Sequence, residues 1–154
     1  MIIRQIEATD VDRLERLFYR LSPQTVYRRF FSPVAKPRRS VLQHLAAVDH
    51  WDRDAIVAVV DDEIIGVARY DRTAGYPNVA EIAVVVEDAW QRHHVASVLL
   101  NELAMRARHR GFSVFTASML GDNRPVVSLV KAMNPRSSIK WDGGTLAAQV
   151  PIAS

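Results

Sequence analysis

The sequence predicts an α+β (α/β) fold: a mixed central sheet with N-terminal helices, a central strand-loop-helix and a C-terminal strand pair. Three observations carry this. Apolar residues recur at helical spacing in the first third of the chain, and two continuous apolar runs, AIVAVV and IIGVARY, then flank a short polar turn. Finally, a strand-helix-strand order from Ala80 to Leu120 demands a right-handed crossover and some parallel pairing.

Met1 to Glu7 alternates as a first strand. Asp10 then caps a helix whose inward positions are Val11, Leu14, Leu17, Phe18 and Leu21. Ser22-Pro23 restarts the chain into a short helix, Gln24 to Phe31, because serine caps and proline suits the first helical turn. Ser40 caps a third helix, Val41 to Val48. Ala55 to Val60 and Ile64 to Tyr70 make a hairpin about Asp61 to Glu63, and Gly75, Pro77 and Asn78 mark a loop. Ala80 to Val86 is too continuously apolar for a half-exposed strand and belongs mid-sheet. His93 to His109 is a helix with Val95, Val98, Leu99, Leu103 and Ala107 on its buried stripe, closed by Gly111 as a left-handed cap. Phe112 to Leu120 is a second central strand. Asp122 or Asn123 caps the helix Arg124 to Met133. Ser138 to Trp141 and Leu146 to Ile152 are strands split by Gly143-Gly144.

With 154 residues, 49% of them apolar and 24% charged, the expected organisation is one domain over 1–154. A net charge of +3 is mild, and clusters such as Arg28-Arg29 and Lys36, Arg38, Arg39 read as solvated surface, so nucleic acid is not the expected partner. No cysteine is present, which excludes disulfides, thiolate zinc sites and thiol nucleophiles and makes the cytoplasm the natural compartment. No apolar run reaches the roughly 18 residues of a membrane span. His93 and His94 are adjacent and so point about 100° apart on a helix, a poor chelating pair, and no metal site is expected.

A helix that opens directly after a central strand gathers unpaired N–H groups and the positive end of its dipole at one spot, and Gln91, Arg92, His93 and His94 surround that spot with further donors. The segment Gln91-Arg92-His93-His94-Val95-Ala96 resembles the acyl-CoA loop of the GNAT N-acetyltransferase superfamily: Gln or Arg, two variable residues, Gly, one variable residue, then Gly or Ala. His94 stands where that pattern has glycine. The element order agrees with the GNAT fold over residues 1 to 133, and LSPQTVYRRFFSP, DHWDRDAIVAVV and IIGVARYDR resemble the GNAT domain of bacterial protein lysine acetyltransferases.

The resemblance implies acetyl-CoA as cosubstrate, with its pyrophosphate held around Gln91, Arg92, His93, His94, Val95, Ala96 and Ser97. It also implies a pantetheine arm paired with the backbone of Val84, Val85 and Val86, and Asn123 near the cofactor. Glu81 matches the glutamate that acts as general base. A lysine amine, with reference pKa about 10.4, must lose a proton before attacking a thioester, and a carboxylate in an apolar strand suits that task. Without the resemblance, Glu81 reads first as an edge-facing or salt-bridged strand carboxylate, paired with one of the many arginines. Where many members carry a tyrosine that protonates the departing thiolate, this chain has Val130; another group, Tyr70, Tyr76 or water does that work, or the thiolate leaves unassisted, which thiol acidity tolerates. Asn134 replaces the family's glycine after the last core helix and can serve as a left-handed cap.

The expected function is therefore transfer of acetyl from acetyl-CoA to a primary amine, a protein lysine first and a small amine second, by direct attack with no covalent enzyme intermediate. The alternative is a non-catalytic acyl-CoA-binding or interaction domain with a degenerate loop. A homodimer is compatible with either, and a nucleic-acid module using the basic clusters is the third reading.

Overall fold

The computed structural model describes residues 1–22, 37–91, 94–120 and 124–152. Its strands are β1 (Ile2–Gln5), β2 (Arg53–Val60), β3 (Glu63–Thr73), β4 (Tyr76–Val86), β5 (Val114–Leu120), β6 (Ser138–Asp142) and β7 (Thr145–Pro151). Its helices are α1 (Val11–Arg20), α2 (Arg39–Ala46), α3 (Val95–His109) and α4 (Arg124–Met133). The helix expected over Gln24 to Phe31 lies outside the described residues, as do Asp122 and Asn123. The strands form one sheet in the order β1-β2-β3-β4-β5-β7-β6, with β4 and β5 parallel and every other neighbouring pair antiparallel. The expected parallel step is thus the β4-α3-β5 crossover.

Alternation along the strands divides the core in two. Ile56, Ala58, Ala68, Tyr70, Ala80, Ile82, Val86, Phe115, Ala117, Ala148 and Val150 face α3 and Val130 of α4. Ala55, Val57, Val59, Val67 and Val85 face Leu14, Leu17 and Phe18 of α1 and Leu42 and Ala46 of α2. Among the described residues no helix is long and apolar enough to cross a membrane.

Local chemistry explains most boundaries. Asp61 and Asp62 both take positive φ, 51° and 64°, so the β2-β3 turn is a two-residue one of the kind that matches strand twist. Arg13 of α1 holds it, donating to the carbonyl and carboxylate of Asp62. Gly111 has φ 86°, as a left-handed cap requires. The buried stripe of α3 is Val95, Leu99, Leu100, Leu103, Ala104 and Ala107; Val98 is 42% exposed and lies beside it.

Several expectations are corrected. Asp10 sits at the start of α1 but makes no side-chain cap there; it accepts from the Glu7 N–H at 2.8 Å and from both terminal nitrogens of Arg4 at 2.8 Å. Ser40 lies inside α2, which starts at Arg39 after Arg38. Pro77 and Asn78 belong to β4, because the β3-β4 turn closes over Ala74-Gly75. Asn134 is not left-handed. It ties the end of α4 to β7 by donating its side-chain amide to the Pro151 carbonyl at 2.9 Å while accepting from the Arg136 N–H.

Gly66 sets how closely α3 approaches the sheet. A β-carbon there would meet Leu99 Cδ1 at 3.2 Å, Val95 Cγ1 at 3.3 Å and the Val85 carbonyl at 3.4 Å. Overpacking of this kind costs about 1 to 3 kcal/mol. Gly66→Ala is expected to lower stability by about 1 kcal/mol in denaturant unfolding and, because Val95 opens α3, to weaken acetyl-CoA binding.

Candidate active site

β4 and β5 do not stay together. Their pairing covers Val79↔Val114, Ala80↔Phe115 and Glu81↔Thr116, after which β4 runs on to Val86 beside β3 while β5 runs on to Leu120 beside β7. The strands part immediately beyond Glu81 and Thr116.

The backbone bonding pattern shows what faces the gap. The Glu87 N–H donates to Ile65 C=O at 2.8 Å, which makes Ile65 and Glu87 a hydrogen-bonded pair. Antiparallel alternation then turns the backbone groups of Glu81, Ala83 and Val85 toward β3, and those of Ala80, Ile82, Val84 and Val86 toward β5. Asn78 obeys the same parity, its carbonyl accepting from Ser113 of the β5 side at 2.9 Å. Past the last rung, Ile82, Val84 and Val86 therefore present polar backbone edges to the gap. The Val86 carbonyl accepts from Gln91 Nε2 at 3.1 Å. Of Val84, Val85 and Val86, the expected pantetheine-pairing residues, Val85 is the correction: its backbone is turned to β3. Ile82, which is not in that expected set, turns its backbone to the same side as Val84, as the β3-β4 register shows.

The loop after β4 makes a short turn over Asp88–Trp90 and reaches α3 through His94, whose φ of 63° and ψ of 14° are left-handed. Val98 N–H is bonded to His94 C=O at 3.1 Å, so the amides of Val95, Ala96 and Ser97 precede the first intrahelical bond and are free for an anion. Arg92 and His93 lie outside the described residues, as does Asn123. Glycine at the family position supplies left-handed backbone at no steric cost. This chain adopts left-handed backbone there with a histidine.

Glu81 is exposed in a strand whose neighbours Ala80 and Ile82 are buried. By parity its side chain lies on the α1/α2 face, with Asp71 opposite on β3 and Thr116 opposite on β5. Among the described residues the Glu81 side chain has no ion pair or hydrogen bond. The arginines engage other acids, Arg53 with Asp71 at 2.9 Å, Arg20 with Glu63 and Glu87, and Arg39 with Asp12 and Glu15. Among the described residues no three His, Asp or Glu side chains are grouped to hold a metal.

Tyr70 is removed as a donor to a leaving thiolate. It is fully buried against Phe112 and Phe115, donates its hydroxyl to the Trp51 carbonyl at 2.7 Å and accepts from Arg110 at 2.9 Å. Burial, together with the nearby Asp54 charge, raises its pKa, although Arg110 opposes the shift. Tyr76 is 63% exposed at the far hairpin, and Val130 is buried in the core. The same Arg110 reaches Asp54 at 2.6 Å, and Asp54 also meets His50 Nδ1 at 2.7 Å and accepts the Ala55 N–H at 2.8 Å. His50 is part of this cluster, which fastens the end of α3 to the start of β2.

The Acetyltransferase (GNAT) family model matches residues 15–134. The chain is 33% identical over 123 residues to acetyltransferase Pat of Mycolicibacterium smegmatis, covering 79% of the chain and 37% of that protein. It is 28% identical over 137 residues to acetyltransferase PA5475 of Pseudomonas aeruginosa, covering 86% of the chain and 73% of that protein. The crystal structure of the GNAT domain of S. lividans PAT superposes with a TM-score of 0.88 at 28% identity, covering 97% of this chain and 89% of that one. The chain thus spans little more than a third of the M. smegmatis relative. A parted β4-β5 pair, a helix opening with free amides and a family match across both elements lead to one conclusion: the chain belongs to the acetyltransferase (GNAT) family, whose members use acetyl-CoA as cosubstrate.

Proposed function

We propose that the chain transfers an acetyl group from acetyl-CoA to a primary amine, a protein lysine foremost, with Glu81 as general base. One observation carries the reading: an exposed carboxylate with no partner among the described residues sits on the last rung before β4 and β5 part.

The residues fit the cosubstrate. The backbone edges of Ile82 and Val84 offer an extended arm the pairing that β5 withdraws, and the amides of Val95, Ala96 and Ser97 offer a diphosphate the positive end of α3. Gln91 holds the loop against Val86. Bound acetyl-CoA supplies a thioester whose C–S bond breaks as the amine nitrogen bonds to the carbonyl carbon, and the second proton that the nitrogen sheds as the amide forms passes through water to the departing thiolate. Glu81, directly or through a water, accepts the proton that the ammonium must lose, since an amine with reference pKa about 10.4 is almost wholly protonated at neutral pH. Sequential binding of both substrates suits a chain with no thiol to carry the acyl group.

Calorimetric titration with acetyl-CoA, followed by a thiol-release assay on lysine-rich protein acceptors, tests this reading. Absence of binding heat and of competition by CoA removes it. The second reading, binding without turnover, is favoured by one feature, the left-handed His94; heat with no thiol release on any amine would select it.

His94→Gly separates the two roles open to that side chain. A non-glycine residue in left-handed backbone costs about 1 kcal/mol, and His94 immediately precedes the amides of Val95, Ala96 and Ser97 that open α3. The variant is expected to bind CoA several-fold more tightly. Weaker binding would show that the imidazole has become a phosphate ligand.

A further inference from the structure

Glu81 belongs to a row that runs across the sheet. The registers align Arg53 with Asp71, Asp71 with Glu81, Glu81 with Thr116, Thr116 with Gln149, and Gln149 with Ser138. These are six consecutive polar residues on six neighbouring strands. Parity puts all of them on the face away from α3 and α4, because Phe115, Ala117, Ala148, Val150 and Ile139 take the other face. Arg53 and Asp71 neutralise each other at 2.9 Å. Glu81, Thr116, Gln149 and Ser138 make no side-chain hydrogen bond or ion pair among the described residues, and all but the half-buried Thr116 are exposed. Four polar side chains in line, with no partner among the described residues, leave their polar groups open to something outside the fold.

The dimensions identify what. From Asp71 to Ser138 the row crosses four interstrand steps of about 4.8 Å, or roughly 19 Å, the span of about six residues of extended chain. At the Asp71 end it opens into a groove of about 620 Å³ lined by His44, Asp52, Arg53, Arg72 and Tyr76 among others. A small amine would fill a fraction of this track.

We propose that the acceptor is an extended polypeptide lying along this row, with Thr116 positioning the amine, or the water that bridges it, on Glu81, and with Gln149 and Ser138 binding the acceptor main chain. The inference rests on the acetyltransferase reading above. The Thr116 hydroxyl stands on the rung it shares with Glu81, at the edge of the gap, so a donor held between the two faces the site of transfer. Thr116 moves no proton to substrate itself; it fixes where the proton goes.

The test measures initial rates with a ten-residue lysine peptide and with a small primary amine, together with acetyl-CoA affinity as a check on folding. Thr116→Val is expected to keep the acetyl-CoA Kd and to lower kcat about tenfold for both acceptors, the worth of one hydrogen bond to a charged group, and Thr116→Ser to restore most of it. Gln149→Leu is expected to raise KM for the peptide about tenfold more than KM for the small amine. Wild-type rates in Thr116→Val, or equal KM changes for the two acceptors in Gln149→Leu, would overturn the inference while a loss in Glu81→Gln left the acetyltransferase reading standing. If wild type acetylates neither acceptor, both are overturned.

Discussion

Replacing Glu81 by glutamine is expected to lower kcat/KM for a lysine acceptor by about 10² to 10⁴-fold, the usual contribution of a positioned general base, and to leave acetyl-CoA affinity unchanged. The change is nearly isosteric, and Glu81 holds no described contact whose loss could disturb the sheet, so a fall in rate reports chemistry. The residual rate has its own signature. Without the carboxylate, only the spontaneously deprotonated fraction of the amine reacts, and that fraction grows about tenfold per pH unit below the amine pKa. The variant should therefore climb with that slope where wild type climbs less steeply. Equal rates and equal slopes would remove Glu81 from the mechanism.

The largest effect on stability is expected at Asp54. It is fully buried, and bonds from Arg110, His50 and the Ala55 N–H converge on it. Asp54→Ala leaves the Arg110 guanidinium without its carboxylate, with a side chain only 14% exposed. Breaking a buried pair from one side costs about 3 to 5 kcal/mol, which lowers the melting temperature of a chain this size by roughly 10 °C. Asp54→Ala combined with Arg110→Met should lose less than Asp54→Ala alone, since no unpaired charge remains. An unchanged melting temperature in the single variant would show that the cluster carries no stability.

The same cluster sets an acid limit. Burial works to raise the Asp54 pKa, but the bonds from Arg110, His50 and Ala55 outweigh it and hold the folded-state value below the ordinary 3.8. Asp10 behaves alike: burial is opposed chiefly by Arg4 and the Glu7 N–H, and its pKa is again lowered. Groups more acidic folded than unfolded contribute fully above the unfolded pKa and lose that contribution as pH falls through the folded value. Stability from both aspartates is thus intact near neutrality and lost below about pH 4, and acid unfolding of Asp54→Ala should show a shallower pH dependence there.

The sequence made the framework legible where the physics is local. The continuous apolar run Ala80 to Val86 gave the central strand, the run of Asp61 and Asp62 between apolar segments gave the tight turn, and Gly111 gave the helix end. The tail strands and their glycine turn were also readable, but the insertion of β7 between β5 and β6 was not, because pairing partners far apart in sequence leave no local trace. Capping was read poorly. Asp10 and Ser40 are good capping residues, yet Arg4 claims the first and the helix starts one residue before the second. At the site, Glu81 could be picked out as a carboxylate in an apolar strand, whereas its place on the last paired rung depends on where two strands part. Val85 was taken with its neighbours for the same reason: composition cannot tell which way a strand residue turns its amide, but register can. Arg92, His93 and Asn123 lie outside the described residues and remain proposals of the resemblance.

Acetylation of an amine from acetyl-CoA at the point where β4 and β5 part is the activity we propose. Mass spectrometry of a lysine peptide incubated with the purified chain and isotopically labelled acetyl-CoA addresses it most directly. The account predicts labelled acetyl on the lysine side chain, with matching release of CoA thiol and loss of both in Glu81→Gln; an unmodified peptide, or labelling that proceeds equally with Glu81→Gln, would contradict it.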